Sequence, residues 1–215
     1  MTEPLTIALP KGRVLRAVAP LLARAGVDPG VLLADDRSLV RESPAAGVRF
    51  LLLKPDDVPT YVEYGAADLG VCGRDVLLER PSDLYQPLDL GVGVCRMVVA
   101  GPTGKAPPRG VPRVGTKYPR CAAEHFARRG VQVDVIYVQG SVELAPLVGL
   151  SDLIVDLVET GVTLAQNGLE ERELVARISS VVVANRAAYK LRNDRVRPFI
   201  EALRGERPTA RSADG

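Results

Sequence analysis

LSDLIVDLVETGVTLAQNGL, Leu150 to Leu169, sets an apolar run of strand length against a cluster of turn formers. Leu153 to Val155 ends in Asp156, and after two apolar residues come Glu159, Thr160, Gly161 and Thr163. A run bounded in this way predicts a buried strand feeding a loop. Leu164, Ala165 and Leu169, with Asn167 and Gly168 as a stop, predict a short helix after it. Such a turn suits a phosphate, because backbone N–H groups, two threonine hydroxyls and the positive end of the helix converge there. An ordinary helix-capping turn has the same outline.

The same grammar recurs outward from this stretch. Leu5 to Leu9 reads as a strand, Pro10-Lys11-Gly12-Arg13 as a basic turn, and Val14, Leu15, Val18, Leu21, Leu22 and Ala25 recur at helical spacing up to Gly26. Pro20 inside that pattern is expected to kink the helix or move its start. Val48 to Leu53 leads into Lys54-Pro55-Asp56-Asp57, a helix's first turn, and the helix stops at Gly65. Leu69 to Cys72 is a third strand, followed by Arg74, Asp75 and apolar residues. Repeated strand-helix alternation predicts a parallel sheet with helices on its faces.

Leu88 to Leu90 and Val92 to Ala100 leave no room for a helix between them and are read as a crossing between lobes. Gly101 to Pro112, with four of 17 prolines and three of 20 glycines, is expected to be a mobile loop. Alternation restarts with a strand at Arg113 to Thr116, a helix with Tyr118, Ala122 and Phe126 on one face, and a strand at Val131 to Val138. Gly140, Ser141 and Glu143 open the next helix. Beyond the opening stretch, Leu174 to Ala184 is β-rich and can return the chain to the first lobe. Asn185 to Leu203 reads as helix, and the tail from Gly205 as frayed. The expectation is α/β, with lobe I in 1–93 plus 185–215 and lobe II in 94–184, each a mostly parallel sheet flanked by helices. Gly65-Ala-Ala-Asp68-Leu69 echoes Gly149-Leu-Ser-Asp152-Leu153, either as a sign of related lobes or as the shared form of a helix-to-strand turn.

Composition narrows the chemistry. With 28 Lys plus Arg against 26 Asp plus Glu, bulk nucleic-acid binding is not indicated, so a charged ligand must be met by a local cluster. The N-terminus lacks a signal-peptide pattern and no apolar run is long enough for a bilayer, so a cytoplasmic, soluble protein is expected. Cys72, Cys95 and Cys121 form no CxxC pair and read as packing thiols. His125, the single histidine, lies mid-helix with no Ser-His-Asp or Cys-His arrangement around it. No His/Cys cluster has metal-ligand spacing, so no protein-held transition metal is expected, although Mg2+ carried by substrate phosphates needs few protein ligands. Lys11, Lys54 and Lys117 each fall just after a strand, where open α/β sheets bind ligands. Singly each reads as a solvated charge; with Arg13 they outline an anion-binding mouth.

Asp156 to Thr163, DLVETGVT, resembles the ribose-5-phosphate loop of phosphoribosyltransferases. Carboxylates accept from vicinal hydroxyls there, and a glycine lets backbone amides approach phosphate closely. Taken in order, IALPKGR from Ile7, KPDDVPTYVEYGAADLGVCGRDVLLE from Lys54, GTKYP from Gly115, GSVELAPLVGLSDLIVDLVETGVTLAQNGL from Gly140 and SSVVVANRAAYK from Ser179 resemble ATP phosphoribosyltransferase. The resemblance reaches to about Leu203. It implies a two-lobed fold like type II periplasmic binding proteins with the site in a cleft between lobes. It also implies transfer from phosphoribosyl pyrophosphate (PRPP) to N1 of the ATP adenine, with Mg2+ and release of pyrophosphate, as the first step of histidine biosynthesis.

By position, the resemblance assigns Asp156, Glu159, Thr160, Gly161 and Thr163 to the ribose 5-phosphate, with Ser141 and Glu143 near the ribose. Arg13 and Arg37 are assigned to catalysis, Arg37 helping to neutralise the leaving pyrophosphate, and Lys11, Lys54 and Asp68 to the nucleotide. With 215 residues the chain is expected to be the short catalytic form, a homodimer that works with a separate regulatory subunit resembling histidyl-tRNA synthetase. A non-catalytic binding module of periplasmic type shares the layout but gives no reason for Glu-Thr-Gly-x-Thr. A phosphoribosyltransferase for free nucleobases would carry an adjacent acidic pair, whereas Val155 precedes Asp156.

Overall fold

A computed structural model describes residues 3–106 and 110–205. β1 (Leu5–Pro10) and α1 (Arg13–Leu22) are followed by α2 (Pro29–Leu33), β2 (Val40–Ser43), β3 (Val48–Leu53), α3 (Val58–Glu63), β4 (Leu69–Gly73), α4 (Arg74–Glu79) and β5 (Tyr85–Asp89). Then come β6 (Cys95–Pro102), β7 (Arg113–Thr116), α5 (Pro119–Ala127), β8 (Asp134–Tyr137), α6 (Leu144–Leu147), β9 (Leu153–Val158), α7 (Val162–Gln166) and β10 (Leu169–Ile178). β11 (Ser180–Ala184), α8 (Arg186–Leu191) and α9 (Asn193–Arg204) complete the described chain.

The chain divides into two compact units. One takes in the described residues of Met1–Val76, Ser82–Gly93 and Ser180–Gly215, the other Leu77–Pro81 and Val94–Ser179. The first unit holds a six-stranded sheet of order β2-β3-β1-β4-β11-β5. β3, β1 and β4 form the expected parallel core, but β2 pairs antiparallel with β3, and β11 runs antiparallel to both β4 and β5, so the sheet is mixed. The second unit holds a five-stranded sheet of order β10-β6-β9-β7-β8. Here β9, β7 and β8 are parallel, while β6 is antiparallel to both β10 and β9.

The inner strands β1, β4, β9 and β11 are nearly continuous apolar runs because both their faces are covered, whereas the edge strands β2, β5, β8 and β10 carry exposed polar residues. In β6, Met97 and Val99 pack with Val114, Phe126, Leu153 and Val155, while Val98 and Ala100 face Ile154, Val158 and Leu164. In the first unit Ile7, Leu9, Phe50, Leu69 and Val182 build one core with Val18 and Leu22 of α1 and Val196 and Ile200 of α9. Gly70 permits close packing of α3 on β4, because a Cβ there would lie 2.7 Å from Val62 Cγ2 and 2.8 Å from Val58 Cγ1.

Three readings change. The β-rich run Leu174 to Ala184 is two strands in different sheets, separated at Ser179, so Ser180–Ala184 belongs to the first unit and not with residues 94–184. Alternation shows that both halves are strand and cannot show which sheet each half joins. Asn185 to Leu203 is helical as expected, divided into α8 and α9, with Asn185 as N-cap accepting from Ala187 N at 2.9 Å and Ala188 N at 3.0 Å. Pro20 sits in the last turn of α1, where the helix is already ending at Leu22. Of the stretch expected as a mobile loop, Gly101 and Pro102 end β6, and 107–109 lie outside the described residues, as does the tail after Gly205.

Candidate active site

In the second unit the parallel strands β7, β8 and β9 end at the same side of the sheet, so the loops after them lie together. Thr116 and Val155 are register partners, so Lys117 and Asp156 are the next residues along adjacent strands. The Thr116 hydroxyl donates to Val155 O at 2.6 Å and accepts from Tyr118 N at 2.8 Å, which fixes the turn that carries Lys117. Asp156 Oδ1 accepts from Leu157 N at 2.7 Å. Burial pushes the Asp156 carboxyl up to about 6; the Leu157 N–H opposes this, nearby Glu143 adds to it and Lys117 opposes it. Lys117 also stands 5.8 Å over the Tyr118 ring. Asp156, Glu143 and Lys117 thus form one electrostatic cluster.

Ser141, the single non-glycine with positive φ among the described residues (49°), turns the chain after β8, and its carbonyl accepts from Leu144 N at 3.0 Å. The turn brings Glu143 back towards Asp156. After β9, Gly161 adopts φ 82°, a left-handed conformation that glycine takes without steric cost. Ala165 N donates to Gly161 O at 3.1 Å, so Ala165 makes the first bond of α7 and the N–H groups of its first turn precede the ladder. Thr160 Oγ1 lies 3.4 Å from Val162 N, and Glu159, Thr160 and Thr163 are exposed. Arg96 braces this turn, with Nη2 2.6 Å from Glu171 Oε1 and Nη1 3.4 Å from Glu159 O. The structure therefore groups Ser141, Glu143, Asp156, Glu159, Thr160, Gly161 and Thr163, and adds Lys117.

In the first unit, β1 and β3 deliver Lys11 and Lys54 at one side of the sheet, and Lys11 N donates to Leu53 O at 2.8 Å. Gly12, with φ 85°, turns the chain into α1, whose first residue is Arg13. Lys11 and Arg37 line one cavity of about 790 Å³ together with Arg16, Asp35 and Asp36. Asp68 does not join them. It precedes β4, where its Oδ2 accepts from Thr6 N at 2.8 Å and Arg192 Nη1 at 2.7 Å. The run of β1 from Thr6 to Lys11, roughly 16 Å at 3.3 Å per residue, separates it from the lysines. Its carboxylate acts as a clamp at the start of β4.

Other polar residues have structural explanations. His125 is buried, its Nε2 2.9 Å from Glu173 Oε2, and Arg129 Nη1 holds Glu173 Oε1 at 2.6 Å. All three cysteines are buried and none is joined in a disulfide, and burial pushes the Cys72 thiol up to about 12, which leaves it an inert packing group. No described helix is long and apolar enough to cross a membrane. Among the described residues no group of three or more His, Cys, Asp or Glu is arranged to hold a metal. Asp156 and Glu143 offer two neighbouring carboxylates, which suits a divalent ion arriving already bound to phosphates.

Two α/β units, one bearing a carboxylate and a Thr-Gly-x-Thr turn at its strand ends, are what the resemblance to phosphoribosyltransferases of the two-lobed periplasmic-binding kind implies. The family model "HisG: ATP phosphoribosyltransferase" matches residues 54–205. The ATP phosphoribosyltransferase of Sorangium cellulosum (strain So ce56) is 62% identical over 204 residues, covering 95% of this chain and 96% of that protein. Another, from Anaeromyxobacter sp. (strain K), is 52% identical over 206 residues, 94% of this chain and 93% of that one. The solved ATP phosphoribosyl transferase (HisG:HisZ) complex from Thermotoga maritima is similar at 40% identity and a TM-score of 0.82, over 93% of this chain and 96% of that chain. The chain belongs to the ATP phosphoribosyltransferase family. Membership favours the enzyme over a non-catalytic binding module of similar layout.

Proposed function

We propose that Asp156 to Thr163 is the ribose-5-phosphate cradle of an ATP phosphoribosyltransferase, which joins N1 of the ATP adenine to C1 of PRPP, releases pyrophosphate and opens histidine biosynthesis. The observation that carries the assignment is the left-handed Gly161 between Thr160 and Thr163, shortly after a strand that half-buries Asp156. First-turn N–H groups and the two hydroxyls receive the phosphate, while Asp156 and Glu143 accept from the ribose hydroxyls. α7 has only five residues, so local N–H groups matter here more than a helix dipole.

N1 attacks as a neutral ring nitrogen, the C1–O bond to pyrophosphate breaks, and the bonding pair leaves with the pyrophosphate. No proton has to be taken from N1, so no histidine base is required. Catalysis comes from positioning and from charge: cations meet the leaving group, and carboxylates beside C1 favour its developing positive charge. Arg13 and Arg37 serve the leaving pyrophosphate, and Lys11 and Lys54 the nucleotide phosphates. Asp156 and Glu143 are the carboxylates that would hold Mg2+ carried by the substrate phosphates, and the ion would supply charge neutralisation there.

The family resemblance also supports a short catalytic subunit, a homodimer in the cytoplasm working with a regulatory chain like histidyl-tRNA synthetase; the solved Thermotoga maritima relative is itself a HisG:HisZ complex. The test is to supply ATP, PRPP and Mg2+ with and without such a partner and to look for adenine ribosylated at N1. An absence of product in both mixtures overturns the reading.

A further inference from the structure

Arg41 enters the first unit from β2, and its side chain is 7% exposed. Its Nη1 donates to Val31 O at 2.8 Å and its Nη2 to Ala34 O at 2.9 Å, carbonyls of α2 and its C-cap. The end of a helix leaves such carbonyls without intrahelical partners, and a guanidinium there satisfies them and suits the dipole. The same Nη2 lies 2.9 Å from Asp36 Oδ1, and that oxygen also accepts from Ser38 N at 2.7 Å. Asp36 and Ser38 flank Arg37. A single carboxylate oxygen therefore closes the turn around Arg37 and ties it to a buried cation, while Leu32 anchors α2 in the core at 1% exposure. Arg37 is left exposed at the cavity it lines with Lys11. The arrangement carries a cost, since Arg41 Nε is buried without a hydrogen-bond partner.

We propose that Arg41 and Asp36 form a clasp that presents Arg37 to the Lys11 cavity, which makes both of them positioning residues for phosphoribosyl transfer. The inference rests on the reading of Arg37 given above. Asp36 fixes the backbone on each side of Arg37, and Arg41 fixes Asp36 to α2. Because Arg37 acts on charge that develops only as pyrophosphate leaves, misplacing it lowers kcat and leaves ground-state binding nearly unchanged.

A double-mutant cycle on the full chain tests this. Asp36→Ala is expected to lower kcat about tenfold, with both KM values within about twofold, since small misplacement of a catalytic group has effects of that order. Asp36→Asn retains an acceptor for Ser38 N and is expected to recover most of the loss. In an Arg37→Ala background, Asp36→Ala is expected to cause no further fall. An unchanged kcat in Asp36→Ala, or an equal fold loss in both backgrounds, overturns the proposal. Thermal melting confirms folding; should Asp36→Ala fail to fold, Arg41→Lys replaces it in the cycle with the same expectations. Arg37→Ala measured alone separates the two readings: full turnover in it refutes the role of Arg37 and the clasp falls with it, whereas a loss there with an unaffected Asp36→Ala refutes only the clasp.

Discussion

Asp152 and Arg113 hold each other through main chain and side chain at once. Asp152 N donates to Arg113 O at 2.8 Å, and Asp152 Oδ2 accepts from Arg113 N at 2.8 Å. Arg113 Nη2 reaches Asp152 Oδ1 at 3.2 Å. Asp68 and Thr6 repeat the main-chain exchange in the other unit, Asp68 N to Thr6 O at 2.8 Å and Thr6 N to Asp68 Oδ2 at 2.8 Å, with Arg192 supplying the guanidinium. In each case the aspartate precedes an outer strand of the parallel trio, β9 or β4, and locks it to the start of the middle strand, β7 or β1. The sequence echo between Gly65–Leu69 and Gly149–Leu153 is thus a shared register clamp.

The clamp has a pH signature. Hydrogen bonds from the Arg113 side chain and backbone hold the Asp152 carboxyl below its usual 3.8. A depressed folded-state value contributes stability that is complete above 3.8 and is lost as pH falls through the folded value. Asp152→Asn is expected to lower the urea midpoint at pH 7, with the deficit shrinking below 3.8. Equal deficits at pH 7 and pH 3 would show that charge plays no part.

Asp156 behaves with the opposite sign. Its folded-state value, raised to about 6, favours the protonated folded form, a contribution complete below 3.8 and lost as pH rises through 6. Asp156→Asn is therefore expected to melt higher than the parent at pH 8 while losing affinity for PRPP. The melting advantage should fade between pH 6 and pH 4. In the parent, kcat/KM for PRPP should fall below pH 6; a profile flat to pH 5 would refute ionised Asp156 as the ribose acceptor.

Thr160 and Thr163 are exposed and their hydroxyls carry no core contact, so Thr160→Ala/Thr163→Ala should leave the melting temperature within about 2 °C, as surface substitutions usually do. The KM for PRPP should rise by about tenfold or more, the worth of one or two hydrogen bonds to a charged group. An unchanged KM removes the phosphate assignment.

Arg13→Ala is expected to lower turnover by about a hundredfold, the scale of losing one preorganised charge at a developing anion. Binding of ATP, measured by calorimetry, should weaken by less. Equal turnover in the variant would sink its catalytic role.

Much of this was legible from residue order. Leu153 to Asp156 followed by Glu-Thr-Gly-x-Thr announces a buried strand and a hydroxyl-rich turn, and Gly161 takes the φ of 82° that such a turn needs. The Gly30 to Pro44 segment was far less readable. Its helix has five residues and β2 only four, too short for periodicity, and the burial of Arg41 depends on bonds to Val31 O and Ala34 O that form only in the folded unit. Asp68 was assigned to the nucleotide by resemblance, and residue order already set it before the strand Leu69 to Cys72; only pairing with Thr6 and Arg192 reveals that its carboxylate is engaged there.

Apolar periodicity and turn chemistry are local properties, so the sequence alone determined most of the strands, most helices and the turn at Asp156 to Thr163. Tertiary structure decided what depends on partners distant in the chain. Pairing with β4 and β5 assigned Ser180–Ala184 to the first sheet. Burial beside Glu143 and Lys117 set the ionisation of Asp156. A guanidinium from β2 bonded to the end of α2 fixed the turn that bears Arg37. Register, desolvation and long-range hydrogen bonds are created only when the chain closes on itself, and no window of residues contains them.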